Sequence, residues 1–195
     1  MAELRAPKPF EDTPAVRQSI NDGVSFVQGI LNDGGKHEVQ FAKSKSGRAG
    51  FWDNSFGLDN VIEMPGDVYI RTGVSEGTHT VVHELGHLIE HRKPGVRERA
   101  QAFLEYRVAG ETPVDMGELR KSPEMAGEMG RKDNFDKVFG DRSGYYVGKV
   151  YSSGSTEIIS MGLEQMYRDP VEFARKDPEY FQFMVSVLRM PAKKG

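Results

Sequence analysis

Two imidazoles stand four residues apart in His83-Glu84-Leu85-Gly86-His87, with a carboxylate directly after the first. On a helix, residues i and i+4 lie one turn above each other on one face, roughly 6 Å apart at their bases. That is the geometry two histidines need to bind one Zn²⁺. Glu84 is turned by about 100° around the same helix. It can therefore flank the ion without binding it, take a proton from zinc-bound water and hand it to a leaving amine. Gly86 lets another segment or a substrate approach closely. The chain has no cysteine, so thiolate ligands and disulfides are excluded and His, Asp or Glu must hold any metal.

A catalytic zinc site needs a third protein ligand and one open position. Glu90 and His91 lie about 10.5–12 Å along the axis from His83, too far for a metal that also touches the first histidine. His91 reads instead as a cation at the helix C-terminus or as a residue outside the ligand shell. Glu98 and Glu105, on the next predicted helix, remain as alternatives. The favoured candidate is Glu157, which opens the segment Ser155-Thr156-Glu157-Ile158-Ile159-Ser160-Met161-Gly162-Leu163-Glu164. Its apolar neighbours imply a buried helix, where a carboxylate wants a partner. Glu164, two turns later, could orient a metal-bound histidine.

The elements that must position these residues follow from periodicity. Val16, Ile20, Val24, Val27 and Ile30 predict a helix over 14–31, stopped by Asn32-Asp33-Gly34-Gly35. A strand is predicted at 37–41, with 48–52 as its hairpin partner across 43–47, and another strand at 67–71. Residues 53–66 read as loop apart from Val61-Ile62. Gly73 to Gly77 reads as a break, after which Thr78 caps the HELGH helix, running to about Arg92. Lys93-Pro94-Gly95 ends it, and a second helix follows over 96–108. Residues 109–144 show no clear period and predict a long excursion. A short strand or hairpin is expected over 145–151, and Ser155 or Thr156 caps a helix to about Tyr167. Asp169-Pro170 and Asp177-Pro178 start two more helices, Asp as cap and Pro at the first helical position. The expected class is α+β: a small sheet of antiparallel type packed on the HExxH helix, then a mainly helical C-terminal part.

The 195 residues suffice for one domain with a real core. Residues 1–14 read as a flexible arm and 15–195 as a single domain. A net charge of −3 gives no basic excess of the kind nucleic acid demands. No run approaches the roughly 18 apolar residues of a membrane span, and the N-terminus lacks the apolar stretch of a signal peptide. A cytoplasmic setting is therefore expected, with neither nucleic acid nor membrane as partner.

HELGH followed by a distant Glu on a second helix resembles the gluzincin metallopeptidases. With Ala102-Phe103-Leu104-Glu105-Tyr106-Arg107, Tyr146-Val147-Gly148-Lys149-Val150-Tyr151 and Thr156 to Gly162, residues 67–167 resemble uncharacterised metallopeptidase domains of phage and prophage structural or head-morphogenesis proteins. The resemblance implies a zincin-like fold and zinc on His83, His87 and Glu157. It further implies Glu84 as the catalytic carboxylate, a peptide or protein substrate, phage structural proteins as partners, and virion association. Tyr151 or Tyr146, shortly before the third ligand, is similar to the tyrosine with which lethal-factor-like peptidases stabilise an oxyanion. His83 to His91 is also similar to the HExxHxxxH stretch of antirepressor-cleaving peptidases, although Glu98-Arg99-Ala100-Gln101 departs from the pattern expected after it. Metzincins are excluded, because Glu90 and Lys93 stand where they carry Gly and a third His. Deformylases are excluded by the missing cysteine. The expected function is a zinc peptidase; the alternative is a phage structural or assembly domain whose zinc is only architectural.

Overall fold

The computed structural model describes residues 13–31, 39–43, 49–52, 61–64, 68–133 and 135–191. Pro14 opens helix α1 (Pro14–Ile30), where its missing N–H would have had no partner, and the Thr13 hydroxyl accepts from the Val16 amide at 3.3 Å. Most of the expected N-terminal arm lies outside the described residues, but Thr13 and Pro14 belong to this helix start. The expected stop at 32–35 also lies outside them.

Three short strands follow: β1 (Gln40–Lys43), β2 (Gly50–Trp52) and β3 (Val61–Met64). The predicted hairpin between the first two does not form. β3 stands between them, parallel to β1 and antiparallel to β2, with Ile62 opposite Phe41 on one side and Phe51 on the other. This sheet is thus mixed, and the two-residue apolar patch Val61-Ile62, read as an interruption in a loop, belongs to its central strand. The connections at 44–48 and 53–60 lie outside the described residues.

Helix α2 (Val68–Arg92) carries the HELGH segment. It corrects two expectations. Residues 68–71 are helix, not strand, and the glycines between 73 and 77 are spanned instead of breaking the chain. Glycine costs a helix about 1 kcal/mol relative to alanine, an amount tertiary context can override. From Gly77 to Glu90 no residue is fully exposed. Val81 and Val82 are completely buried, and a side chain at Gly23 of α1 would come within 2.6 Å of the Val81 methyl.

The chain forms two compact units: residues up to Leu88 together with those from Leu188 onward, and Ile89–Val187. α2 is continuous through this division, its last turn belonging to the second unit. There Gly95, at a φ of 77°, turns the chain into α3 (Val96–Arg107). The predicted excursion 109–144 consists of short elements: β4 (Val114–Asp115), α4 (Met116–Arg120), a 3-10 turn at Pro123–Met125, β5 (Met129–Arg131), α5 (Asp136–Phe139) and the start of α6 (Asp141–Val147). Asp115 organises them, accepting from the amides of Gly117, Glu118 and Gly127. Tyr145 and Tyr146 lie in α6, so the strand predicted over 145–151 shrinks to β6 (Gly148–Lys149). β4, β5 and β6 make a second, antiparallel sheet in that order.

The C-terminal helices follow the sequence reading closely. α7 (Ile158–Arg168) is succeeded by α8 (Pro170–Lys176) and α9 (Pro178–Leu188). Asp169 accepts from the Glu172 amide at 2.9 Å and Asp177 from the Tyr180 amide at 3.0 Å, as the two Asp-Pro starts predict. Tyr180 is fully buried, packs edge-on against Phe173 (5.1 Å) and Phe135 (5.6 Å), and donates its hydroxyl to the Ile158 carbonyl. Beside this cluster, Arg107 is only 6% exposed at its side chain and is held by Asp133 (2.6 Å) and Asp177 (2.9 Å). Its guanidinium also covers the Phe135 ring at 4.7 Å. Burial opposes that charge, but the two carboxylates outweigh it and hold Arg107 above its ordinary range. Among the described residues, no helix is long and apolar enough to cross a membrane.

Candidate metal centre

The i, i+4 spacing on α2 sets the His83 and His87 rings at 5.1 Å between centroids and 77° between planes. Both are half-buried on a helix whose neighbouring positions Val82, Glu84, Leu85 and Leu88 are buried. Glu157 is fully buried at the residue just before α7. One ligand atom from each of His83, His87 and Glu157 lies within 4.8 Å of the others. In a tetrahedral zinc site, bonds of about 2.0–2.1 Å place ligand atoms roughly 3.4 Å apart. The three side chains are thus near a common coordination sphere, and two imidazoles with one carboxylate form a donor set that can hold a divalent ion.

The carboxylate of Glu157 is oriented from both sides. Tyr151 donates its hydroxyl to Oε1, and Ser160, one turn into α7, donates to Oε2 at 2.6 Å while also reaching the Glu157 carbonyl at 3.1 Å. Burial, and then the charge of Glu157, push the Tyr151 hydroxyl well above the ordinary tyrosine range, so it remains a donor at neutral pH. The Lys149 ammonium sits 4.6 Å over the Tyr151 ring, 5.4 Å over the Tyr146 ring and 3.1 Å from Glu128. Tyr146 also lies beneath Arg120, at 5.5 Å.

Of the alternatives for a third ligand, Glu98 is exposed. Glu105 is paired with Arg131 at 2.7 Å, and a hydrogen bond from that guanidinium holds its carboxyl below the usual range. Neither belongs to the converging group. Glu164 pairs with Arg168 one turn on, at 3.1 Å. His91 lies in the last turn of α2 and does not belong to the converging group. Arg97 approaches its Nδ1 at 2.7 Å, and because a guanidinium only donates, that nitrogen accepts.

Two features escaped the sequence reading. His79 extends the histidine row, so that His79, His83, His87 and His91 recur every fourth residue, each step turned by about 40° and raised by about 6 Å. The spacing was visible in the sequence; its meaning depends on what faces it. Glu90 is the second feature. It is only 2% exposed, and its two oxygens accept from the Thr156 amide at 2.7 Å and the Thr156 hydroxyl at 2.6 Å. The Thr156 oxygen in turn accepts from the amide of Ile158, the first residue of α7, at 3.2 Å. The cap residue of α7 is Glu157, with no side-chain cap bond of its own, so the cap expected at Ser155 or Thr156 falls short of the helix start. No protein-family model, curated protein or solved structure matches the chain.

Proposed function

We propose that this chain is a zinc-dependent peptidase of the gluzincin type, with His83, His87 and Glu157 as ligands and Glu84 as the proton-transfer group. The observation that carries the reading is the convergence of Glu157, distant in sequence, on the histidine pair. Bound Zn²⁺ would supply a Lewis acid that polarises a peptide carbonyl and makes water more acidic.

The remaining chemistry falls to the chain's own residues. Glu84 follows His83 directly, is turned about 100° from it and is 4% exposed. Its carboxylate takes a proton from the attacking water and returns it to the departing amine. Tyr151 and Ser160 keep Glu157 facing the pair. In this arrangement the Tyr151 proton is engaged by Glu157, so its oxyanion role requires exchanging that bond for one to the substrate. Tyr146 can act only through a similar approach of substrate. A zincin-like fold, a peptide or protein substrate, phage structural proteins as partners and virion association belong to the same proposal.

The test is Glu84→Gln. Zinc content and affinity should be retained, while hydrolysis of a mixed peptide library should fall by about 10²–10⁴-fold, the usual contribution of a positioned acid–base group. Undiminished hydrolysis would remove Glu84 from the mechanism. Zinc binding without hydrolysis by the unaltered protein would leave an architectural site of the kind an assembly domain would carry.

A further inference from the structure

A row of histidines at every fourth position offers three adjacent i, i+4 pairs: His79–His83, His83–His87 and His87–His91. Each has the spacing for one metal ion. Helix geometry alone does not choose among them. The choice belongs to whatever fixes the third ligand along the helix axis. Glu157 follows Thr156 directly, and Thr156 is tied through both its amide and its hydroxyl to Glu90, the residue three positions after His87. The last pair has a further constraint, because Arg97 engages the Nδ1 of His91.

We propose that Glu90 is a positioning residue. Its clamp on Thr156 sets the register in which Glu157 meets α2, so that the metal falls on His83 and His87 and not on a neighbouring pair. The inference rests on the metal-site reading above. The clamp closes a loop of 66 residues with two hydrogen bonds to a charged acceptor, both buried. Such bonds are about twice as strong as neutral ones, and buried carboxylates tolerate their loss poorly. The same hydroxyl accepts from the amide of Ile158, the first residue of α7, so the residues on both sides of Glu157 are tied to one side chain.

Zinc affinity of the full chain, measured by competition with a chromogenic chelator, tests this. Thr156→Val should weaken zinc binding by about 10–100-fold, the usual effect of removing a group that orients a ligand, and Thr156→Ser should restore it. In the otherwise unaltered chain, His91→Ala should leave affinity unchanged. In the Thr156→Val background it should weaken the residual binding further, an effect a merely structural role for the clamp would not produce. Should Thr156→Val fail to fold, Glu90→Gln keeps one acceptor for the amide and should show a several-fold loss. Wild-type affinity in these clamp variants would overturn the clamp while leaving the metal site standing. No zinc binding by the unaltered protein would overturn the metal site and the clamp with it.

Discussion

Replacing Glu157 by glutamine should act in opposite directions with and without metal. Without metal, Glu157 is a fully buried carboxylate whose two oxygens accept from Tyr151 and Ser160. Glutamine has the same shape and can keep both bonds. Its amide oxygen accepts from Tyr151; its amide nitrogen donates to the Ser160 oxygen, whose own proton turns fully to the Glu157 carbonyl already 3.1 Å away. The desolvation of a charge is avoided, so the metal-free variant should melt no lower than the wild type. With zinc the sign reverses. At a free zinc concentration 1,000 times Kd, binding stabilises the folded state by about 4.1 kcal/mol, which for a chain of this length raises Tm by about 8–16 °C. Losing a ligand should cost affinity at least the hundredfold that outer groups can reach. At the same zinc concentration the stabilisation then falls to about 1.4 kcal/mol, and the rise in Tm to about 3–6 °C. Differential scanning fluorimetry with and without zinc reads both signs in one experiment. An unchanged zinc-induced shift in the variant would remove Glu157 from the ligand set. A metal-free variant melting several degrees lower would refute the account of its hydrogen bonding.

Two further outcomes concern what holds the second unit. Arg107→Met leaves Asp133 and Asp177 without their buried cation and should destabilise the fold by about 3–5 kcal/mol in urea denaturation; a loss under 1 kcal/mol would mean the guanidinium contributes only packing. Gly148→Ala would place a Cβ 1.8 Å from the Arg131 carbonyl oxygen, its own pairing partner across β5 and β6. The strands must part, and stability should drop by about 1–3 kcal/mol; a wild-type melting temperature would show that the pair is dispensable.

The parts of this chain legible in its sequence are those where one residue type has one physical use. Asp-Pro marks two helix starts because Asp caps and Pro fits only the first turn. HELGH marks a helix face because its spacing matches one turn. Glu157 stood out because a carboxylate in an apolar stretch needs a reason, and the structure brings it to the histidine pair. What failed was local propensity. Val68-Tyr69-Ile70 has β-forming side chains but is helical, and glycines read as a break lie inside α2. β3 escaped because two apolar residues give no measurable period, although its place between β1 and β2 makes it the strand on which the sheet depends. Residues 109–144 were illegible for a different reason: elements of two to seven residues are held by capping groups such as Asp115, and capping leaves no periodic trace.

The bond from the Tyr180 hydroxyl to the Ile158 carbonyl bears on the order in which the molecule is built. The histidines are synthesised before Glu157, on α2, whose backbone bonds are local. Their partner arrives later, tied back by a clamp spanning 66 residues, and the first turn of its helix is braced by a side chain 22 residues further on. Long closures form slowly, because their entropy must be lost before their contacts repay it. A growing chain therefore displays the histidine pair well before it can present the Glu157 carboxylate in a fixed place. The group of three side chains that could hold a metal is completed only once α9 has been made and Tyr180 has docked.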